Sequence, residues 1–348
     1  MRVLGTGRAL PGAPVTTAEL LERITRYYTL PARTGSAIAK RLGVEQRYFS
    51  RDFSQRFESP KVGCRNPDLA AMAVSRALSE QSTSIERLQY LIGHTATPAR
   101  PLPPNTAEVA DQLGHARPYA ELRQACTGFA NAVQWAASML KDPNSEPVAI
   151  VGSEVGSVFF DPLALRDDRG QWVNLMQMGD GAGAIILGPD DGQKGPRLES
   201  AFFGHIGLGK KPGFTLGEGG SDFPSIRSDR SCATFHHDFE AVKREGAALF
   251  HAALVAAVDS GVEIESIHLI LPHQANGHIG EWLGRELNLP SNRFYVNAKH
   301  VGNLGSAAIW VALDELRRSG QLRSGDRVLV LGAEATKYLY GGFVYVHA

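Results

Sequence analysis

Cysteine is scarce. The 348 residues hold three, Cys64, Cys126 and Cys232. They are widely spaced and odd in number, so they suggest neither a disulfide framework nor a metal site, and a reducing cytoplasm is the expected compartment. Excess charge is also missing. Lys+Arg and Asp+Glu stand at 36 each, which argues against a general binder of nucleic acid or membrane surfaces. No apolar run approaches the roughly 18 residues that span a bilayer, and Met1 to Gly7 has no signal-peptide pattern. No phosphate loop ending in Gly-Lys-Ser/Thr occurs. Gly179-Asp180-Gly181-Ala182-Gly183 is glycine-rich, but it follows no expected strand and opens no expected helix. Its expected role is close backbone packing that admits a neighbouring strand.

What is present is core material. At 43% hydrophobic residues, the chain can build two domains or one large layered unit. Helices are expected over Thr17 to Tyr28, from Pro67 to about Leu78, from about Thr106 to Leu113, and from about Phe239 to Val258. Strands are expected at Val3–Gly7, Leu88–Ile92, Val148–Gly152, Ala184–Leu187 and Ile267–His273. The prolines at 98, 101, 103 and 104 break regular structure. Residues 155–178 show no periodicity and read as an irregular lobe. The stretch Lys40, Arg41, Arg47, Arg51, Arg56, Lys61, Arg65 reads either as a solvated surface or as a docking face for phosphate groups or an acidic carrier.

Ala125-Cys126-Thr127-Gly128-Phe129 is the stretch with chemical promise. Cys126 stands at the start of an apolar, Ala-rich helix. Free N–H groups and the helix dipole there favour a thiolate, so a pKa below the free value of about 8.5 is expected. A buried structural cysteine is the competing reading.

The second half repeats the first. Four segments recur in the same order at an offset of about 180 residues. Pro67–Leu78 matches Phe239–Val258, and the strand ending at His94 matches the one ending at His273. The Cys126 helix start matches Gly302-Asn303, and Val148–Glu154 matches Arg327–Glu334. A duplicated αβ unit about a pseudo-twofold axis would bring Cys126, Asn303 and His273 together. That set is a nucleophile with two hydrogen-bonding partners. Taken singly, His273 could be a core histidine and Asn303 a helix cap. His94 is read as structural. His236, His237 and His278 lack ligand spacing, so no metal is expected. A Cys-His-Asn set also occurs in papain-like proteases, but the sequence around the cysteine differs and that fold has no duplication.

Ala125-Cys126-Thr127-Gly128-Phe129, Gly179-Asp180-Gly181-Ala182-Gly183-Ala184, His273-Gln274-Ala275-Asn276 and Gly302-Asn303…Ser306-Ala307-Ala308 together resemble the β-ketoacyl-acyl-carrier-protein synthase III branch of the thiolase superfamily, over nearly the whole chain. The resemblance implies an α/β thiolase fold of five αβαβα layers, with residues 1–188 carrying the nucleophile and 197–348 carrying His and Asn. It implies Cys126 as the acylated nucleophile, His273 and Asn303 as its partners, and the N–H groups of Cys126 and Thr336 as the oxyanion hole. It implies a cytoplasmic homodimer that takes acyl-coenzyme A or acyl-carrier-protein thioesters and holds no tightly bound cofactor. Pro103, Arg47 and Asn276 are the candidate substrate contacts.

Departures from the family pattern point to a specialised relative. No tryptophan lies between Thr25 and Arg47 where an adenine clamp is usual. Pro103 stands at the place read as that of a phenylalanine lining the acyl pocket across the dimer. Ala335-Thr336-Lys337 stands where a glycine triplet is usual. The expected activity is a Claisen-type condensation of an acyl-Cys126 with a malonyl- or β-ketoacyl-type thioester, in fatty-acid-like or polyketide biosynthesis. Two alternatives remain: acyl transfer to oxygen or nitrogen, and a non-catalytic ketosynthase partner subunit.

Overall fold

A computed structural model describes residues 1–28, 30, 32–53, 63–216 and 235–348. Cys232, Arg56 and Lys61 lie outside them. The main sheet runs, edge to edge, Leu269–Pro272, Arg327–Glu334, Leu339–Val346, Arg197–His205, Arg2–Ala9, Gly181–Gly188, Val148–Glu154, Tyr90–His94, Tyr119–Leu122. The two central strands meet at one pair only, Arg2 opposite Arg197. Outward from that seam, both halves pair antiparallel, antiparallel, then parallel. The outermost strand Tyr119–Leu122 is matched in the second half by one bridge, Ile270 to Phe294. The repeat is therefore a repeat of topology.

Helices complete five layers. Gly128–Met139 and Ala308–Arg318 lie between the half-sheets, because their small and apolar residues are buried on both sides. Asn66–Ser79 and Asn105–Leu113 cover the outer face of the first half. Phe239–Asp259 and Ile279–Glu286 cover that of the second. The central layer is cemented by aromatics: Trp310 stacks on Phe343 at 5.9 Å, and the Phe129 ring meets both edge-on.

The elements not expected from the sequence include four that bear on the architecture of the site. Helix Ala32–Leu42, strand Tyr119–Leu122 and helix Ile279–Glu286 are short. The fourth corrects the irregular lobe: residues 169–177 are helical, with Asp168 capping the Gly170 N–H at 2.7 Å and Trp172, Leu175 and Met176 buried. Nine residues with one narrow apolar face give little periodic signal, and packing fixes the helix instead.

Gly183 provides the expected close approach, but to a helix, not a strand. A Cβ there would lie 2.6 Å from Trp310 Cβ and 2.8 Å from the Val311 nitrogen. Gly183→Ala is therefore expected to cost about 1–3 kcal/mol by overpacking, read as a lower denaturation midpoint in urea with an unchanged slope.

Candidate active site

Cys126 lies in the turn between strand Tyr119–Leu122 and helix Gly128–Met139. The helix begins at Gly128, so Cys126 stands just before its first turn, as the sequence suggests. Gly128 lets the turn sit on His94, since a Cβ would fall 2.6 Å from its Nδ1. His94 is itself buried and accepts a hydrogen bond from Trp310 Nε1 at 2.9 Å, in keeping with its structural reading.

His273 follows strand Leu269–Pro272, and its N–H donates to the Leu331 carbonyl at 2.7 Å. Gln274 secures the turn: its amide donates to Pro272 and Tyr295 carbonyls and accepts from the N–H groups of Asn297 and Ala298. Asn303 follows Gly302, whose φ of 75° favours glycine. Its Oδ1 accepts from the Gly305 N–H at 3.0 Å, and its backbone bonds Gln177 and Gly179. This holds the side chain by its oxygen.

All three open onto one cavity of about 1260 Å³. Thr336 and Asn276 line it as well, together with apolar walls that include Val173, Phe214, Leu249 and Trp282. Four exposed basic residues, Arg41, Arg169, Lys243 and Arg285, also line it.

Two expected substrate contacts are elsewhere. Arg47 is fully buried and donates to Thr17 Oγ1 and the Met176 carbonyl, both at 2.8 Å; burial lowers its pKa to about 10. It fastens the chain and does not line this cavity. Arg51 is buried too and bonds the Phe160 carbonyl, so the basic stretch is not one continuous face. Pro103 is exposed on its loop and does not line the cavity of its own chain.

Two buried carboxylates, noticed in the sequence only as matching strand ends, complete the cavity floor. Glu334 accepts from the Thr127 N–H at 2.9 Å and Thr127 Oγ1 at 2.8 Å, and takes the Thr336 hydroxyl on its other oxygen. Glu154 accepts from the Ala96 N–H at 3.0 Å, from the Ser306 hydroxyl and N–H, and from the Thr97 hydroxyl. Each therefore ends a strand of one half and holds the central-helix start of the other. Burial pushes the Glu154 carboxyl up.

These acids reverse the electrostatic expectation. Burial, then Glu334 and Glu154, push the Cys126 thiol well above its ordinary value. Burial also lowers His273 to about 4, so its imidazole is neutral at pH 7, and Nδ1 has no partner. At rest the cavity thus holds a thiol and a neutral imidazole. Among the described residues, no three or more His, Cys, Asp or Glu cluster as metal ligands.

The family model for 3-oxoacyl-[acyl-carrier-protein] synthase III matches residues 120–205, and its C-terminal model matches 258–344. The chain belongs to the synthase III-like thiolase-fold enzymes. A β-ketoacyl-[acyl-carrier-protein] synthase III of Clostridium acetobutylicum is 28% identical, with 95% of this chain and 94% of the relative covered. That of Syntrophomonas wolfei is 27% identical, covering 99% and 96%. The solved structure of AbyA1, a tetronic acid condensing enzyme, superposes with TM-score 0.85 at 26% identity over 99% of both chains. The priming β-ketosynthase of the R1128 polyketide pathway gives 0.79 at 25%, covering 99% and 96%. The similar proteins thus include both β-ketoacyl-[acyl-carrier-protein] synthases III and a polyketide-pathway ketosynthase, and this chain shares their thiolase fold.

Glu334 and Glu154 generate a direct test. Removing a negative charge beside a thiol favours its thiolate, so Glu334→Gln should lower the Cys126 pKa. The rate of iodoacetamide alkylation at Cys126, followed against pH, should rise at lower pH in the variant than in the wild type. An unmoved profile would contradict the electrostatic assignment.

Proposed function

We propose that this chain is an acyl-thioester condensing enzyme with Cys126 as its nucleophile. The observation that carries the reading is the opening of Cys126, His273 and Asn303 onto one cavity, in a chain of synthase III-like fold. Residues 1–188 would contribute the nucleophile, and 197–348 the histidine and asparagine.

In the first step, sulfur attacks the carbonyl of an acyl thioester. Because the thiol rests protonated, neutral His273 accepts its proton as attack proceeds and returns it to the departing coenzyme A or carrier-protein thiol. The N–H groups of Cys126 and Thr336 hold the tetrahedral oxyanion, a type of contact typically worth about 10²–10³ in rate. In the second step, a malonyl- or β-ketoacyl-type thioester enters. His273 and Asn303 donate to its thioester oxygen as an enolate forms, by loss of carbon dioxide or of a proton. The enolate carbon attacks acyl-Cys126, a C–C bond forms, and the thiolate leaves and regains a proton. Asn303 suits a donor role, since its Oδ1 is already bound to Gly305 and its NH₂ remains.

The basic residues of the cavity supply charge complementary to the phosphates of coenzyme A or to an acidic carrier protein. Asn276, also on the cavity wall, is proposed as a substrate contact. Pro103 would reach a substrate only across a homodimer, as a neighbour of the exposed Leu102. That homodimer predicts light scattering at twice the chain mass; a stable, active monomer would rule it out.

The function test separates loading from condensation. Cys126→Ala should take up no acyl group in intact-protein mass spectra. Asn303→Ala should load acyl groups at near wild-type rates in single turnover but yield on the order of 10²-fold less product or lower. Full loading of Cys126→Ala, or normal turnover by Asn303→Ala, would overturn these roles.

A further inference from the structure

One stripe of helix Arg169–Gln177 borders the cavity, through Arg169, Gly170, Val173 and Gln177. The rest of the helix is fixed from behind. Trp172, Leu175 and Met176 are buried in a core shared with helices Thr17–Tyr28 and Ala32–Leu42. Trp172 Nε1 donates to the Leu165 carbonyl at 2.9 Å. Buried Arg47 donates to the Met176 carbonyl at 2.8 Å, beside the last helical residue. Gln177 therefore stands on a rigid base, half-buried in the cavity wall.

From that base Gln177 bonds both of the turns that carry His273 and Asn303. Its Nε2 donates to the Ala275 carbonyl at 2.6 Å. A carbonyl can only accept, so the amide must present its NH₂ there. Ala275 belongs to the His273 turn, and its N–H donates to the His273 carbonyl at 2.9 Å. On the other side, the Gln177 carbonyl accepts the Asn303 N–H at 2.8 Å. The Gly179 N–H donates to the Asn303 carbonyl at 3.0 Å, so Gln177 and Gly179 bracket both backbone groups of Asn303. Gly302 is packed on the same spot: a Cβ there would lie 3.0 Å from the Gln177 carbonyl oxygen. Gln274 ties the His273 turn to Asn297 and Ala298, at the far end of the short helix before Gly302. Gln177 adds the tie on the cavity side.

We propose that Gln177 is a positioning residue that sets His273 and Asn303 at the spacing needed to reach one substrate oxygen. It acts through the two turns and not on the substrate. The inference rests on the condensing reading, in which both groups donate to the thioester oxygen of the second substrate. Acyl loading asks for less. It uses His273 without Asn303, and His273 keeps its own bond to the Leu331 carbonyl. Condensation needs two donors aligned on one atom, where a small misplacement is costly. Loss of the Gln177 amide should therefore fall on the second step.

The test is single-turnover kinetics of the full chain, with loading read by intact-protein mass spectrometry and condensation by product mass. The probes are acetyl- to dodecanoyl-pantetheine as acyl donors, with malonyl- or 3-oxooctanoyl-pantetheine as second substrate, using the pair that the wild type turns over fastest. Gln177→Met keeps the side chain's length and removes the donor. Gln177→Glu keeps its shape and puts an acceptor where the donor was. Each should load Cys126 within about threefold of wild type, yet form product from the acyl-enzyme on the order of tenfold more slowly. In an Asn303→Ala background, Gln177→Met should slow product by less than about threefold further, because no second donor is left to align. Product at the wild-type rate in both variants overturns the proposal. So does equal slowing of loading and condensation, or a full tenfold loss on top of Asn303→Ala. In those cases a wild-type product with a new carbon–carbon bond leaves the condensing reading standing. A wild type that makes no such product from any pair removes that reading, and the positioning role with it.

Discussion

The bond from Glu334 to Thr127 holds the site together. It joins residues 207 apart in sequence, one on each half of the molecule. A buried carboxylate with no cation is expensive unless its oxygens are filled. Glu334 fills them with a backbone N–H and two hydroxyls, all charge-assisted. One donor adjoins the nucleophile, and another belongs to Thr336, the proposed oxyanion donor. The same carboxylate thus positions both walls around the sulfur and opposes its ionisation.

Glu154 repeats this contact with the halves exchanged. It gathers Ala96 and Thr97 of its own half and Ser306 of the other. The duplication is therefore one of contacts as well as of topology. Each half ends a strand in an acid, and each acid anchors the partner's central helix start. Cys126, His273 and Asn303 open onto one cavity, and these two contacts tie the halves together across it.

The sequence reveals much of this, and its limits are physical. The repeat was visible because strand ends, glycines and Ala-rich helices recur at one offset, which predicted where Cys126, His273 and Asn303 would converge. The state of the thiol was not visible. It depends on burial and on two carboxylates distant in sequence. Arg47 misled for a related reason: a charge in a basic run looks solvated until the carbonyl that binds it, at Met176, is folded against it. Helix Arg169–Gln177 was hidden by its brevity.

The central claim is that a new carbon–carbon bond forms on the acyl-cysteine. The most direct measurement supplies an acyl thioester labelled with ¹³C at its carbonyl and a second thioester labelled at its α-carbon, then records the product by ¹³C NMR. A one-bond coupling between the two labels is the predicted result. Two uncoupled labels, with the acyl carbonyl attached to oxygen or nitrogen, would contradict it.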